Sequence, residues 1–155
     1  YDQWGNRILE KNRNGKTVRR TFRQDGKLLR QELPDGLVWT YEYDERGNLI
    51  RWSNNAGEEF FAEYDSRNNL IQEGQVVDEV YSLVQEYQYD HLGRMMIHTD
   101  SNGNQTRFTY WENSGQVASV TTPEGDTFFY TYDKTEQCMS IQSGMGTVEF
   151  GYTPL

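Results

Sequence analysis

Acidic side chains are the most abundant groups that could carry out chemistry in this chain. There are 24 Asp and Glu residues against 15 Lys and Arg, and Glu58 and Glu59 are adjacent. Two carboxylates can cleave a glycosidic bond when they face each other across a cleft at a set separation. Nothing in the spacing distinguishes this pair from the other acidic residues. The sequence therefore predicts no catalytic residue and no enzyme.

Metal and thiol chemistry find equally little support. The segment 100–104, Asp-Ser-Asn-Gly-Asn, resembles the start of a calcium loop but lacks the downstream bidentate Glu. His91 and His98 have no second Cys or His at the spacing of a zinc site. Cys138 is the single cysteine and stands at an apolar position of the repeat described below, which indicates a small buried hydrophobe. We expect no metal and no cofactor.

Aromatic rings could stack on a sugar. Trp39 shares its repeat position with Phe60 and Phe128, which is typical of packing on a sheet face. Trp52 instead belongs to a variable, partly polar column formed by Glu10, Gln31, Glu73, His98, Val120 and Ile141. Trp52 is therefore the candidate for a surface contact with carbohydrate or a partner protein.

The elements that must position these side chains follow from a repeat of about 21 residues. Seven copies begin at aromatic residues near positions 1, 22, 43, 64, 89, 110 and 132, so residues 1–155 are predicted to be a single array. The repeated Asp precedes a turn and is predicted to cap its backbone amides. The residues that define the repeat are Tyr43, Asp44, Gly47, Tyr64, Asp65, Tyr89, Asp90, Gly93, Tyr132 and Asp133.

Each copy predicts a strand, a turn, a second strand and a second turn. A Gly or Asn follows the aromatic residue by four positions in most copies, and a second Gly follows ten residues later. Apolar and polar residues alternate between these turns with the period of two that is typical of strands. We predict an all-β fold in which about fourteen antiparallel strands stack as hairpins into one continuous curved sheet.

Two copies depart from the pattern. Glu136 replaces the first-turn glycine of the last copy, and because Glu does not favour a positive φ, that turn is predicted to be distorted or of another type. The fourth copy is four residues longer around Gly74 to Leu83 and has Asp78 in place of its second glycine. This insertion predicts a wider loop or bulge, or alternatively a plain elongated hairpin.

Composition narrows the class of protein. A net charge of −9 argues against nucleic-acid binding, which needs clustered Lys and Arg. Hydrophobic residues make up 35% and aromatic residues 14%, enough to cover one face of a sheet. The sequence has no transmembrane run and no signal peptide, and it starts within a repeat, as expected for a segment of a longer array.

The repeat resembles the YD repeat of the Rhs family. Residues 41–50 read Tyr-Glu-Tyr-Asp-Glu-Arg-Gly-Asn-Leu-Ile, and residues 87–96 form a second clear copy. The family includes Rhs toxins, the shell subunits of Tc toxins, wall-associated bacterial toxins and teneurins, in which the resemblance implies a sheet that spirals into a hollow cocoon. In bacterial members the cocoon encloses a C-terminal toxin. The self-cleaving Asp-Pro segment of many relatives is missing here, so the resemblance assigns neither autoproteolysis nor a toxin to these residues.

The resemblance thus implies a non-catalytic wall segment of a shell, with the parent chain and its cargo domain as partners and a secreted or cell-surface location. At about 4.8 Å per strand, fourteen strands span roughly 67 Å, too little to seal a cavity alone. The open edges predict that the isolated segment self-associates. The alternative is a cell-surface module that binds carbohydrate or a protein through Trp52 and the fourth-copy loop.

Overall fold

The computed structural model describes residues 1–112 and 114–152, and in these residues it contains strands and turns without a helix. No helix in this part of the chain is therefore long and apolar enough to cross a membrane. The strands are β1 (Leu9–Lys11), β2 (Thr17–Phe22), β3 (Leu28–Glu32), β4 (Val38–Tyr43), β5 (Leu49–Asn54), β6 (Glu59–Tyr64), β7 (Leu70–Val77), β8 (Val80–Tyr89), β9 (Met95–Thr99), β10 (Gln105–Tyr110), β11 (Val117–Thr121), β12 (Thr127–Tyr132), β13 (Cys138–Ser143) and β14 (Gly146–Glu149).

The strand order follows the chain from β1 to β14, without a crossover. Strands that follow each other in the sequence pair antiparallel, as in β4 with β5 and β12 with β13. The predicted all-β fold of stacked antiparallel hairpins is confirmed. Backbone contacts group the chain into two compact units, Tyr1–Val84 and a second that begins at Gln85.

Most hairpin turns share one geometry. In the turn after β4, the amide of Gly47 donates to the carbonyl of Asp44 at 3.1 Å, and the amide of Asp44 donates to the carbonyl of Asn48 at 2.9 Å. Gly47 has a φ of 87°, while the two residues before it lie outside the left-handed region. This is a type I turn followed by a glycine bulge, which matches the right-handed twist of the flanking strands.

Glu136 occupies that glycine position in the last copy, and the prediction of a distorted turn there is wrong. Glu136 adopts a φ of 66°, and its amide donates to the carbonyl of Asp133 at 3.1 Å, as Gly47 does to Asp44. The Asp133 carboxylate accepts the amides of Thr135 and Gln137 at 2.8 and 3.0 Å. These bonds hold the turn in a conformation that Glu adopts only with strain.

The long fourth copy forms an elongated hairpin, so the alternative of a wider loop is wrong. The extra residues lengthen β7 and β8 to eight and ten residues, and only Asp78 and Glu79 join them. Both of these residues have a positive φ, 50° and 63°, as in a tight two-residue hairpin turn. Adding residues to paired strands leaves no unpaired backbone, which a wider loop would expose.

A bulge recurs just after the first turn of each of several copies. Phe22 pairs with Leu28, but Thr21 pairs with Arg30, so Leu29 is an extra residue in β3. The same shift occurs at Tyr43, Tyr64, Tyr89, Tyr110 and Tyr132. The apolar pair that follows each first turn is therefore the bulge, and its two residues split between a half-buried and a more exposed position.

The sheet has almost no interior. Among the described residues, Phe61 and Ala62 are the only buried hydrophobic side chains, exposed to 3% and 4%. Most aromatic residues are half-buried, whereas Glu42, the one charged residue of β4, is exposed. Each unit is thus a single layer of sheet.

Candidate functional site

The Asp of the repeat caps the first turn, as the sequence predicted. One oxygen of the Asp65 carboxylate accepts the backbone amides of Arg67 and Asn69 at 2.8 and 2.9 Å. The other oxygen accepts the side-chain amide of Asn69 at 2.9 Å. The amide of the Asn69 side chain, followed by its backbone N–H, holds the pKa of Asp65 below its usual value of 3.8. Equivalent bonds form at Asp2, Asp44, Asp90, Asp100 and Asp133.

Tyrosines at the repeat's aromatic position can reach back to the previous copy. The hydroxyl of Tyr43 donates to the carbonyl of Leu28 at 2.9 Å, and that of Tyr110 donates to the carbonyl of Met95 at 2.7 Å. Tyr152 makes the same bond with Cys138 at 2.8 Å. Burial raises the pKa of Tyr43 and of Tyr110, so both phenols stay protonated and can donate.

First turns of successive copies are tied to each other. The side-chain amide of Asn48 donates to that of Asn68 at 3.0 Å, and Arg46 donates to the carbonyl of Asp65 at 3.1 Å. In the second unit, Arg94 contacts the carbonyls of Trp111 and Ser114. Polar side chains of the first turns, next to the residues that define the repeat, thus join one hairpin to the next. These hydrogen bonds serve to hold the repeats together.

Trp52 lies in an aromatic cluster on one face of the first unit. Its ring stacks on Phe60 with centroids 5.4 Å apart and planes 10° apart, and Trp39 stacks on Phe60 from 6.2 Å. In the strand register, Trp52 of β5 lies opposite Tyr41 of β4 on one side and opposite Phe60 of β6 on the other. We call Trp39, Tyr41, Trp52 and Phe60 the aromatic face. Trp52, half-buried, therefore shares its ring contact with Trp39, the residue that the sequence assigned to packing.

A cleft of about 490 Å³ opens in the same unit near the cross-strand row of Glu42, Arg51, Phe61 and Gly74. These four residues lie on the opposite face to Trp52, since side chains alternate along a strand. The residues that line the cleft are Glu42, Asp44, Ile50, Arg51, Phe61, Ala62, Glu63, Tyr64 and Tyr81.

One wall of this cleft was not evident from the sequence. Phe61 and Tyr81 stack with their ring centroids 3.8 Å apart, although they lie in β6 and β8 with β7 between them. Gly74 of β7 makes this possible, because a Cβ there would stand 3.0 Å from the Phe61 ring and 2.8 Å from the carbonyl oxygen of Ser82. The signal in the sequence was Gly74 itself, a glycine within a strand and off the repeat positions.

The remaining sequence candidates lie apart from one another. Glu59 forms an ion pair with Arg51, and Glu58 contacts the side chain of Asn54. His98 stacks on Tyr87 at 5.1 Å and shares a hydrogen bond with Gln85. Cys138 is half-buried. Within residues 1–112 and 114–152, no three His, Cys, Asp or Glu side chains are grouped so as to hold a metal ion.

The fold and the turns define a class of β-hairpin repeat protein. Its hairpins follow one another in the sequence, a bulge follows the first turn of a copy, and Asp caps that turn. Residues 24–59 match the RHS repeat family model, and residues 78–150 match the teneurin YD-shell model. The resemblance to the Rhs and YD repeats is thus confirmed in two separate segments of the chain.

The fold is shared with a solved structure. The crystal structure of TcdB2-TccC3-Cdc42 matches with a TM-score of 0.65 at 21% identity, over 81% of this chain and 7% of that chain. The Photorhabdus luminescens Tc holotoxin pore with a TccC3 variant matches with a TM-score of 0.48 at 18% identity, over 87% of this chain and 9% of that one. The chain thus spans less than a tenth of the length of either protein.

Proposed function

We propose that this array is a wall segment of a shell that encloses another polypeptide, and that it takes no part in catalysis. The observation that carries the proposal is the single layer of sheet: every strand is bonded to its neighbours in the sequence, yet only two hydrophobic side chains are buried in the described residues. A sheet with an apolar face needs a covering layer. In a closed shell, the enclosed chain and the neighbouring parts of the wall supply this covering layer.

The hydrogen bonds support a structural role. The capped turns recur from copy to copy, and the Asp44 and Asp65 carboxylates bind backbone amides of their own turns rather than groups outside the wall. The links Asn48 to Asn68 and Arg46 to Asp65 hold one copy to the next. A wall of this kind resists local opening because each hairpin is fixed on two sides. We place the protein that carries it at the cell surface or outside the cell.

Limited proteolysis of the full-length protein tests enclosure. If the array is part of a closed wall, the polypeptide that follows it should stay intact and co-purify with the array at protease levels that digest the same polypeptide expressed alone. Digestion of that polypeptide at equal rates in both samples would refute enclosure, and an array that stays intact in the full-length sample would show that the wall itself is folded.

The alternative to enclosure is carbohydrate binding through Trp52, and a variant can distinguish the two functions. The stack of Trp52 on Phe60 gives one ring face to packing, and a Trp52→Ala variant should therefore lose stability without any change in glycan binding. Glycan-array binding that is present in the native chain and lost in the variant would favour a surface-binding module instead. Trp111→Ala is the matched control, since Trp111 lies outside the cluster and is 49% exposed.

The isolated array should self-associate. In the sheet, β1 and β14 each pair with one neighbour, and an unpaired strand edge can add a strand from another chain. Sedimentation at rising protein concentration should show dimers or larger species. A single monomeric species at every concentration, with no binding of an apolar dye, would contradict this proposal.

A further inference from the structure

The cleft near Glu42 and Phe61 carries a net negative charge that its own arginine does not neutralise. Glu42 lies directly across from Arg51, but the Arg51 guanidinium turns to Glu59, with which it forms an ion pair. Glu63 stands two residues beyond Phe61 on the same face of β6. Neither Glu42 nor Glu63 forms an ion pair with any residue in the described part of the chain.

An aromatic wall flanks these carboxylates. Phe61 is 3% exposed, and Tyr81, stacked against it, remains 51% exposed. The contact with Gly74 fixes the position of the Phe61 ring, because the ring lies directly against the glycine backbone. A rigid aromatic wall next to free carboxylates attracts a cation in two ways, through the ring quadrupole and through direct charge.

We propose that this cleft binds an arginine side chain of an extended polypeptide. The guanidinium is planar, so it can lie against the exposed Tyr81 ring, which Phe61 supports from behind, while its N–H groups bind the Glu42 and Glu63 carboxylates. The volume of about 490 Å³ accommodates one long side chain and part of its backbone. The chain's net charge of −9 also favours a basic partner. The site does not depend on enclosure, since a free peptide can reach it.

The geometry makes Arg51 an internal competitor for the same carboxylates. Its pairing with Glu59 keeps it away from Glu42 and Glu63. Removal of the Glu59 charge would release Arg51 toward the cleft and should weaken peptide binding, although Glu59 does not line the cleft. Removal of the Arg51 charge should strengthen it. If acidic charge alone attracted the peptide, removal of the Glu59 charge would weaken binding only slightly, because Glu59 lies outside the cleft.

The test is a titration of the ¹⁵N-labelled full chain with the peptide acetyl-Gly-Gly-Arg-Gly-Gly-amide at low salt, followed by amide chemical shifts. We expect the shifts to cluster at Phe61, Glu63 and Tyr81. The same peptide with citrulline, which has the shape of arginine without its charge, should not bind. A lysine peptide should bind more weakly, because it lacks the planar group, and equal affinity would overturn the assignment to arginine.

Matched variants distinguish a defined arginine site from nonspecific attraction of the peptide by the acidic chain. The double variant Glu42→Gln and Glu63→Gln should weaken binding about fivefold or more, whereas Glu112→Gln with Glu124→Gln, which removes the same charge from the second unit, should leave it nearly unchanged. Arg51→Gln should tighten binding, and the control Arg107→Gln should not. Equal losses in both double variants, binding of the citrulline peptide, or shifts spread over all acidic residues would overturn the proposal.

Discussion

The hydroxyl of Tyr43 donates a hydrogen bond of 2.9 Å to the carbonyl oxygen of Leu28, fifteen residues earlier. Leu28 lies in the bulge of β3, and the pairing of β3 with β4 begins only at Arg30. The bulge therefore leaves a carbonyl without a strand partner, and the tyrosine of the next copy supplies the donor. This gives a physical reason for tyrosine at the start of the copies that begin at Tyr43 and Tyr110.

Tyr43→Phe should lower the free energy of unfolding by about 1 kcal/mol, because a part-buried carbonyl loses its donor while the ring packing is kept. Tyr41→Phe is the control, since the Tyr41 hydroxyl has no hydrogen bond to another described residue. Urea unfolding of both variants measures the difference. Equal stability of the two variants would show that the phenol is not needed at this position.

Glu136→Gly should stabilise the protein by about 0.5–1 kcal/mol, since glycine adopts the left-handed conformation without strain. Glu136 now holds a φ of 66° there. Glu124 also lies in an exposed turn, but its φ is outside that region. Glu124→Gly should therefore bring no gain, and thermal unfolding of the two variants tests the contrast. A similar gain from both would refute strain as the cause.

Gly74→Ala should destabilise the first unit by about 1–3 kcal/mol, as expected for an overpacked site. The added Cβ would lie 2.8 Å from the carbonyl oxygen of Ser82 and 3.1 Å from the Cα of Val84, and neither backbone atom can move without disturbing the hairpin. Gly115→Ala is the control, because nothing lies within 4 Å of a Cβ built there. Hydrogen exchange of the β6–β8 amides, compared between the variants, should locate the loss.

Acid should weaken the capped turns. The side-chain amide of Asn69, with its backbone N–H, lowers the pKa of Asp65 in the folded chain below the ordinary value of 3.8. A carboxylate whose pKa falls on folding contributes stability above about pH 4, and this contribution is lost as the pH falls through the folded value. The side chain of Thr135 and the amide of Gln137 lower the pKa of Asp133 in the same sense.

Asp65→Asn removes this proton-linked contribution. The variant should be less stable than the native chain at pH 7, and the gap should narrow as the pH falls below 3.8 and through the lowered pKa of the folded carboxylate. Asp126→Asn serves as the control for removal of one exposed carboxylate, because the Asp126 carboxylate has no hydrogen bond to another described residue. A gap for Asp65→Asn that does not change with pH would contradict the linkage.

The array itself could be predicted from local rules. The spacing of Gly47 and Gly57, the alternation along β4 and β6, and the Asp before each turn depend on interactions within a few residues, so they are visible in the sequence. The capping by Asp44 and Asp65 followed from the same local reasoning. These features determined the strands, the hairpins and their order.

Tertiary contacts decided the rest. The fate of the fourth-copy insertion depended on whether β7 and β8 could pair as one elongated hairpin. The stack of Phe61 on Tyr81 over Gly74 joins residues that are twenty positions apart in the chain. No local pattern encodes such a contact. It depends on the strand register and on the glycine that the strand in between, β7, places beneath the two rings. The sequence therefore determined the wall, and the packing of its strands decided where that wall has a cleft.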